Sequence, residues 1–305
     1  MLKPNAGTLA ESTELSLYER AVGAYIGLAI GDALGATTEF MTPREIQEKH
    51  GTHNHIIGGG WLKLKTGQVT DDTDMSLALG QSILDNNGVD PKAVAEAFSN
   101  WMRSKPIDCG NTVRRGIIHY RTSGETSVPL NEFDAGNGAC MRALPIALAY
   151  HNAPEDEVRR VCRLQSHVTH NNPVSDAGTE TIVLMVIATL KGATKDDLFQ
   201  LVNDLVAEHR SFRFDKRRVE NPSGWIVETL QVVFQAFFAK DTLEAAVVDV
   251  VNRGGDADTT GAIAGMLCGA YYGAGAVPRQ WRRALACDVK AACEEQAARL
   301  MSLAS

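Results

Sequence analysis

None of the six cysteines, at positions 109, 140, 162, 268, 287 and 293, forms a C-x-x-C pair, which excludes a zinc ribbon and a thioredoxin-like redox motif. An excess of positive charge is also missing. Lys and Arg number 30 against 37 Asp and Glu, for a net charge of −7, so no nucleic-acid partner is expected. Residues 1–14 carry acids and no apolar core of the signal-peptide kind; they read as a flexible N-terminal tail. The apolar run Gly261–Val277 is short and rich in Gly and Ala, a buried helix and not an integral membrane segment. Strand alternation, tandem repeats and linker-like stretches are lacking too.

What is present is a chain of 305 residues with 44% apolar and 22% charged content, an ordinary globular composition. It reads as all-α, a single compact multi-helix domain over residues 15–305 with roughly a dozen helices. Several cysteines lie on apolar helix faces, which suits reduced thiols and a cytoplasmic location.

The richest stretch runs from Asn252 to Gly265. Gly254 and Gly255 permit a tight turn, and Asp256, Asp258 and Thr259 follow as a cluster of oxygen side chains. The apolar helix expected after them, Ala262 to Ala276, belongs to a row of glycines at 261, 265, 269 and 273. The segment Leu15–Thr38 has a matching row at 23, 27, 31 and 35. Glycines four apart share one helix face, so the two helices are expected to pack ridge to ridge. That packing would carry Glu39 toward Asp256 and Asp258. A third cluster, Thr70-Asp71-Asp72-Thr73-Asp74, opens a helix to Asn86. Asp and Thr at helix starts also serve as caps and dipole partners, and Arg253 beside Asp256 reads equally as an ion pair.

Further polar loops punctuate the chain. Asp90-Pro91 opens a helix to Lys105, and Asp108-Cys-Gly-Asn-Thr112 precedes Val113–Tyr120. Gly136-Asn137-Gly138 is expected to start the helix carrying Met141–Tyr150. Ser175 is expected to cap a helix Asp176–Leu190, and Pro278 to open a last helix to Ser302. His50, His53 and His55 fall in a loop region over residues 41–69; His53 and His55 could be ligands, but read first as exposed loop histidines. His167 and His170, one helical turn apart, could both face a site or simply cap a helix C-terminus.

Three acidic clusters at helix ends, without Cys or His at zinc spacing, suit hard divalent cations. Two ions about 3.5–4 Å apart would need a bridging carboxylate, and Asp258, between Asp256 and Thr259, is the natural bridge. Thr70, Asp71 and Asp72 would complete the second ion. Magnesium or manganese fits all-oxygen ligation.

Gly31-Asp32-Ala33-Leu34-Gly35 with Glu39, then Thr70-Asp71-Asp72-Thr73, then Gly254–Ala262 resemble, in order, the motifs of the ADP-ribosylglycohydrolase family. They span Gly23 to Gly273. The stretches Ser166–Glu180 and Asn221–Leu230 look most like the member that frees an arginine of the nitrogenase iron protein from ADP-ribose. The resemblance implies an all-α fold with a binuclear Mn2+ or Mg2+ site and an N-glycosidic hydrolase of ADP-ribosylated arginine. Carried over, Thr70, Asp71, Asp72, Asp256, Asp258 and Thr259 become metal ligands, and Glu39 and Asp108 the catalytic acids. Gly110, Asn111 and His170 would contact substrate, and Gly136, Asn137 and Gly138 would cradle phosphate at a helix start. Trp225 stands where the family usually has a stacking Tyr; stacking survives that exchange, a phenol hydrogen bond does not. The implied partners are an ADP-ribosylated protein, the nitrogenase iron protein first, and a PII-type nitrogen-signalling regulator, with membrane association only through a partner. The alternatives are another ADP-ribosyl target or metabolite, or a non-catalytic ADP-ribose binder of crystallin type.

Overall fold

A computed structural model describes residues 15–303; the expected tail over residues 1–14 lies outside the described residues. The chain runs through α1 (Leu17–Gly35), α2 (Pro43–His50), α3 (Asp71–Asn86), α4 (Pro91–Arg103) and α5 (Asn111–Ser123). Its middle is α6 (Leu144–Ala149), α7 (Glu155–Ser166), α8 (Pro173–Leu190) and α9 (Lys195–Glu208). It closes with α10 (Ile226–Ala239), α11 (Leu243–Val251), α12 (Ala257–Tyr272), α13 (Arg279–Ala284) and α14 (Cys287–Leu303). Among the described residues no strand forms, only the isolated bridges Gly59–Leu64 and Gly136–Trp225. The all-α expectation holds.

Helix α1 starts with a capping box, Ser16 accepting from Glu19 N and the Glu19 carboxylate from Ser16 N at 2.9 Å. From Ala21 to Gly35 every residue is buried, as expected of a helix at the centre of a bundle. Its partner is α12, and the glycine ridges do meet. A Cβ on Gly27 would stand 2.1 Å from Gly265 O, on Gly31 1.9 Å from Gly261 O, and on Gly23 2.3 Å from Gly269 O. The partner number falls as the α1 number rises, so the helices are antiparallel. The two rows do not pair glycine to glycine along their whole length. Gly35 faces Ala257, while Gly273 adopts φ 78° and ends α12. Accordingly α12 begins at Ala257, five residues before the expected start, and stops before Ala276.

Around this pair, α3 and α14 pack on α1, and α8, α10 and α11 on α12. Helix α8 is the one described helix long and apolar enough to cross a membrane, with mean hydropathy 1.3, but 67% of it is buried. It is a core helix. Its cap is Asn172, whose side chain accepts from Val174 N at 2.8 Å and Ser175 N at 3.1 Å, and not Ser175. The expected C-terminal helix is two helices, because Leu285 turns extended and Ala286 N donates to Gly67 O at 3.0 Å. His53 is buried with its Nε2 2.9 Å from Leu34 O, so that loop histidine is a packing residue and not an exposed one.

Candidate active site and metal centre

The antiparallel seam sets the C-terminal end of α1 against the N-terminal end of α12. Past Gly35 the chain turns through Thr37–Phe40, and Phe40 takes φ 60°. Phe40 N donates to Gly255 O at 2.7 Å, and Gly255 N returns a bond to Met41 O at 3.0 Å. This clamp needs both glycines. Gly254 (φ 71°) and Gly255 (φ 64°) are left-handed, and Cβ atoms there would meet Met41 O at 1.9 Å and Pro222 O at 2.1 Å. Asp256 N donates to Pro222 O at 2.8 Å. Opposite ends of the chain are thereby locked together, with Glu39, Asp256 and Asp258 side by side. One oxygen from each lies within 4.8 Å of the others.

The third cluster reaches the same place from α3. Thr259 Oγ1 lies 3.4 Å from Asp72 Oδ2, which joins the Thr70–Asp72 loop to the α12 tip. Asp71 accepts from Gly110 N at 3.1 Å, bringing in the loop before α5. These groups floor a cavity of about 510 Å³. Glu39, Asp71, Asp256, Asp258 and Thr259 line it, as do Asp108, Gly110 and Asn111. Thr70 and Asp72 lie beneath the lining, fully buried, and Thr70 Oγ1 is 3.0 Å from Asp72 Oδ2. Trp225 is half-exposed and outside the lining, next to Gly224, which belongs to it. Arg253 pairs with Asp249 at 2.5 Å and not with Asp256.

The Gly136–Gly138 stretch lines the cavity but starts no helix; α6 begins only at Leu144. Within it Asn137 N donates to Gly224 O at 3.0 Å and Gly136 O accepts from Ser175 Oγ at 2.8 Å. The two glycines leave room for His170. A Cβ on Gly138 would lie 2.8 Å from His170 Cε1, and on Gly136 3.0 Å from His170 Nε2. Asn137 supplies its side chain, donating to Asp256 Oδ2 at 2.5 Å. His170 is buried and its pKa is pushed down to about 3, first by burial and then by Arg142 and Arg115. Its ring is therefore neutral at pH 7. His167 turns away, its Nε2 2.9 Å from Asp176 Oδ2 at a different cavity.

Electrostatically the site is an accumulation of acid. Burial, then Asp108 and Asp256, lift Glu39 to about 8. Burial and Asp108 lift Asp71 to about 7, and burial lifts Asp256 to about 6. Asp72 and Asp258 are pushed well above the carboxylate range by burial, then by Asp32 and Glu39 respectively. Asp72 Oδ1 is buried with no hydrogen-bond partner. Such groups are costly unless protonated or matched by a cation. An all-oxygen donor set with a buried spare oxygen fits a hard divalent cation.

Two residues that carry this arrangement went unassigned in the sequence. Asp32, fully buried in α1, accepts from Thr70 N, Thr70 Oγ1, Thr73 N and Thr73 Oγ1, at 2.5 to 3.1 Å. It fixes the start of α3, and the signal was there: a carboxylate on an otherwise apolar helix. Trp61 donates its indole N–H to Glu39 Oε2 at 2.5 Å; nothing local in the sequence marks that bond.

Comparison with known proteins agrees with this geometry. Residues 13–305 match the family model described as ADP-ribosylglycohydrolase. The chain is 46% identical over 289 residues to the ADP-ribosyl-[dinitrogen reductase] glycohydrolase of Rhodospirillum rubrum, covering 95% of this chain and 98% of that one. It is 30% identical to the ADP-ribosylarginine hydrolase Tri1 of Serratia proteamaculans, over 86% of this chain and 74% of the relative. A solved structure described as an ADP-ribosylglycohydrolase-related protein complex superposes with a TM-score of 0.85 at 34% identity, covering 95% of this chain and 99% of that chain.

Proposed function

The chain belongs to the ADP-ribosylglycohydrolase family, and we propose that it hydrolyses the N-glycosidic bond between ADP-ribose and an arginine side chain of a target protein. One observation carries the reading. Glu39, Asp256 and Asp258 bring oxygens within 4.8 Å of one another on the floor of a cavity of about 510 Å³, and no basic side chain is paired with them among the described residues. The similarity to the Rhodospirillum rubrum enzyme supports dinitrogen reductase as the target. A PII-type regulator is the accompanying partner, tested by co-purification. Residues 15–305 act as one unit, and the cytoplasm is its place.

The site would hold two Mn2+ or Mg2+ ions through Asp71, Asp72, Asp256, Asp258, Thr70 and Thr259. When bound, the ions supply a fixed seat for the ribose hydroxyls and an activated water. The chain's own residues do the rest. Water adds at the anomeric carbon, the C–N bond breaks, its electron pair goes to the guanidine nitrogen, and that nitrogen takes up a proton. Glu39 is placed to hold the proton of the attacking water. Asp108, half-buried at the mouth, faces the leaving guanidine, which suits a cation. Gly110 and Asn111 border the ribose. His170, as a neutral ring, and Asn137 hold the wall opposite, and Trp225 offers a face for adenine. Charge on the ribose ring at the transition state is stabilised by the surrounding acids.

The mouth also suits a macromolecule. Phe40 and Trp61 at its edge, and Phe133 and Trp225 next to lining residues, are exposed, Phe133 at 98%. Apolar groups ringing a polar pocket mark a protein-binding rim.

The test is cleavage of ADP-ribosyl-arginine and ADP-ribosyl-serine by purified protein, with Mn2+ and after chelation. Arginine-linked substrate is expected to turn over at least about a hundredfold faster and only with metal. Equal rates on both linkages would overturn arginine specificity, and undiminished activity after chelation would overturn the metal reading.

A further inference from the structure

We infer that Trp61 is the positioning residue for Glu39: its indole N–H holds one carboxylate oxygen and leaves the other for the Asp256–Asp258 cluster. The inference rests on the activity proposed above and gives Trp61, there only part of the exposed rim, a role toward the reacting groups.

The observations come from both partners. Glu39 is 5% exposed, and its charged neighbours are Asp108, Asp256 and Asp258, all acids. Like charges favour a rotamer that swings this side chain toward solvent. Against that stands the Trp61 Nε1–H bond at 2.5 Å, a donor on a carboxylate and so of the stronger kind. Trp61 is 51% exposed, so burial of its ring does not explain where it sits.

The loop around it is built to hold it there. Thr37 Oγ1 donates to Gly58 O at 3.0 Å, and Gly59 and Leu64 exchange two backbone bonds of 2.8 Å. Gly60, at φ 67°, presses on the turn that carries Glu39, where a Cβ would stand 2.1 Å from Ala36 O. The Phe40 ring closes the outer side, its centroid 5.4 Å from that of Trp61. Thr37, Ala36 and Phe40 flank Glu39 in the chain, so donor and acceptor are fixed to one rigid turn. Such a constraint keeps a reacting group in a productive position.

The experiment compares wild type, Trp61→Phe, which keeps a ring and loses the N–H, and Trp61→His, which restores a ring N–H. Kinetics on ADP-ribosyl-arginine with Mn2+ are run beside Mn2+ titration calorimetry and thermal melts. Trp61→Phe is expected to lose about tenfold to thirtyfold in kcat, as for one hydrogen bond to a charged group, with KM within about threefold and an unchanged melt. Trp61→His should recover part of kcat, and Mn2+ affinity of Trp61→Phe should fall about tenfold. Unchanged kcat in Trp61→Phe overturns the inference. So does a joint shift of kcat, KM and melting midpoint that His fails to relieve, the behaviour of a wall residue. An inactive wild type would sink the proposed activity instead, and the Mn2+ titration then decides on Trp61: weaker binding in Trp61→Phe upholds it and equal binding overturns it.

Discussion

Two cavities of similar size, about 510 and 520 Å³, are lined by acids, and they treat those acids in opposite ways. In the larger one, Glu180 is 3% exposed and held by Arg159 at 2.8 Å and Arg163 at 2.6 Å, while Asp176 meets His167 at 2.9 Å. Its charges are matched by the fold. In the other, Glu39, Asp71, Asp72, Asp256 and Asp258 crowd together, and none of them forms an ion pair among the described residues. The buried cation closest in kind, Arg142, donates instead to Gln165 and Thr169 and lies over the Phe98 ring. Buried acids cost little when the protein supplies the counter-charge, and a great deal when it does not. The unmatched cluster is the one that could hold a cation, and the matched one carries its own counter-charge.

The largest expected contrast is in activity. Asp258→Ala should lower kcat by about a thousandfold or more at saturating Mn2+, with the helical circular dichroism preserved. Glu180→Ala should leave kcat within about threefold. Turnover of Asp258→Ala near the wild-type rate would remove the distinction between the cavities.

The seam that carries the unmatched site comes next. Gly27→Leu or Gly265→Leu forces a side chain against a backbone oxygen where even a Cβ would stand 2.1 or 2.0 Å away. A loss of about 3 kcal/mol or more is expected, read from urea midpoints. Variants that unfold with the parent would show that the ridges can part.

The matched cavity should respond in stability alone. Glu180→Ala strands two guanidinium groups, but Arg159 and Arg163 are 37% and 54% exposed and can turn to water. The expected loss is about 1–2 kcal/mol. A stabilised variant would mean that the pairing costs more in desolvation than it returns.

The subtlest test is pH. Glu39 at about 8, Asp71 at about 7 and Asp256 at about 6 lie above the unfolded carboxylate value of about 4. Raised acids bind protons more tightly when folded. Their contribution to the metal-free protein is complete below about pH 4 and is lost as pH climbs through 6 to 8. Metal binds the deprotonated oxygens, so the gap between Mn2+-loaded and chelated protein should widen from pH 5.5 to 8.5. Urea midpoints across that range measure it, and a constant gap would show that Asp71 and Asp256 do not meet the ion.

Much of this was legible beforehand for reasons that are local. Glycines four apart mark a close helix contact whatever the partner is, and Asp90 and Pro91 announce a helix start through their own backbone chemistry. Where local chemistry was ambiguous the reading slipped. Gly136-Asn137-Gly138 looked like a helix opening, yet its glycines are spacers for His170. His167 and His170 share a helical turn by spacing and face different cavities in the fold.

By itself, then, the sequence determined the all-α class, the two glycine ridges and the three clusters of acid and threonine, because caps, periodicity and side-chain size act over a few residues. Tertiary structure alone decided the register that sets Gly35 on Ala257, the grip of Trp61 on Glu39, and the use of Asp32 as anchor for α3. It alone decided which acids received an arginine and which were left bare. Those outcomes depend on groups that meet only when distant segments close on one another, and no spacing along the chain encodes that meeting.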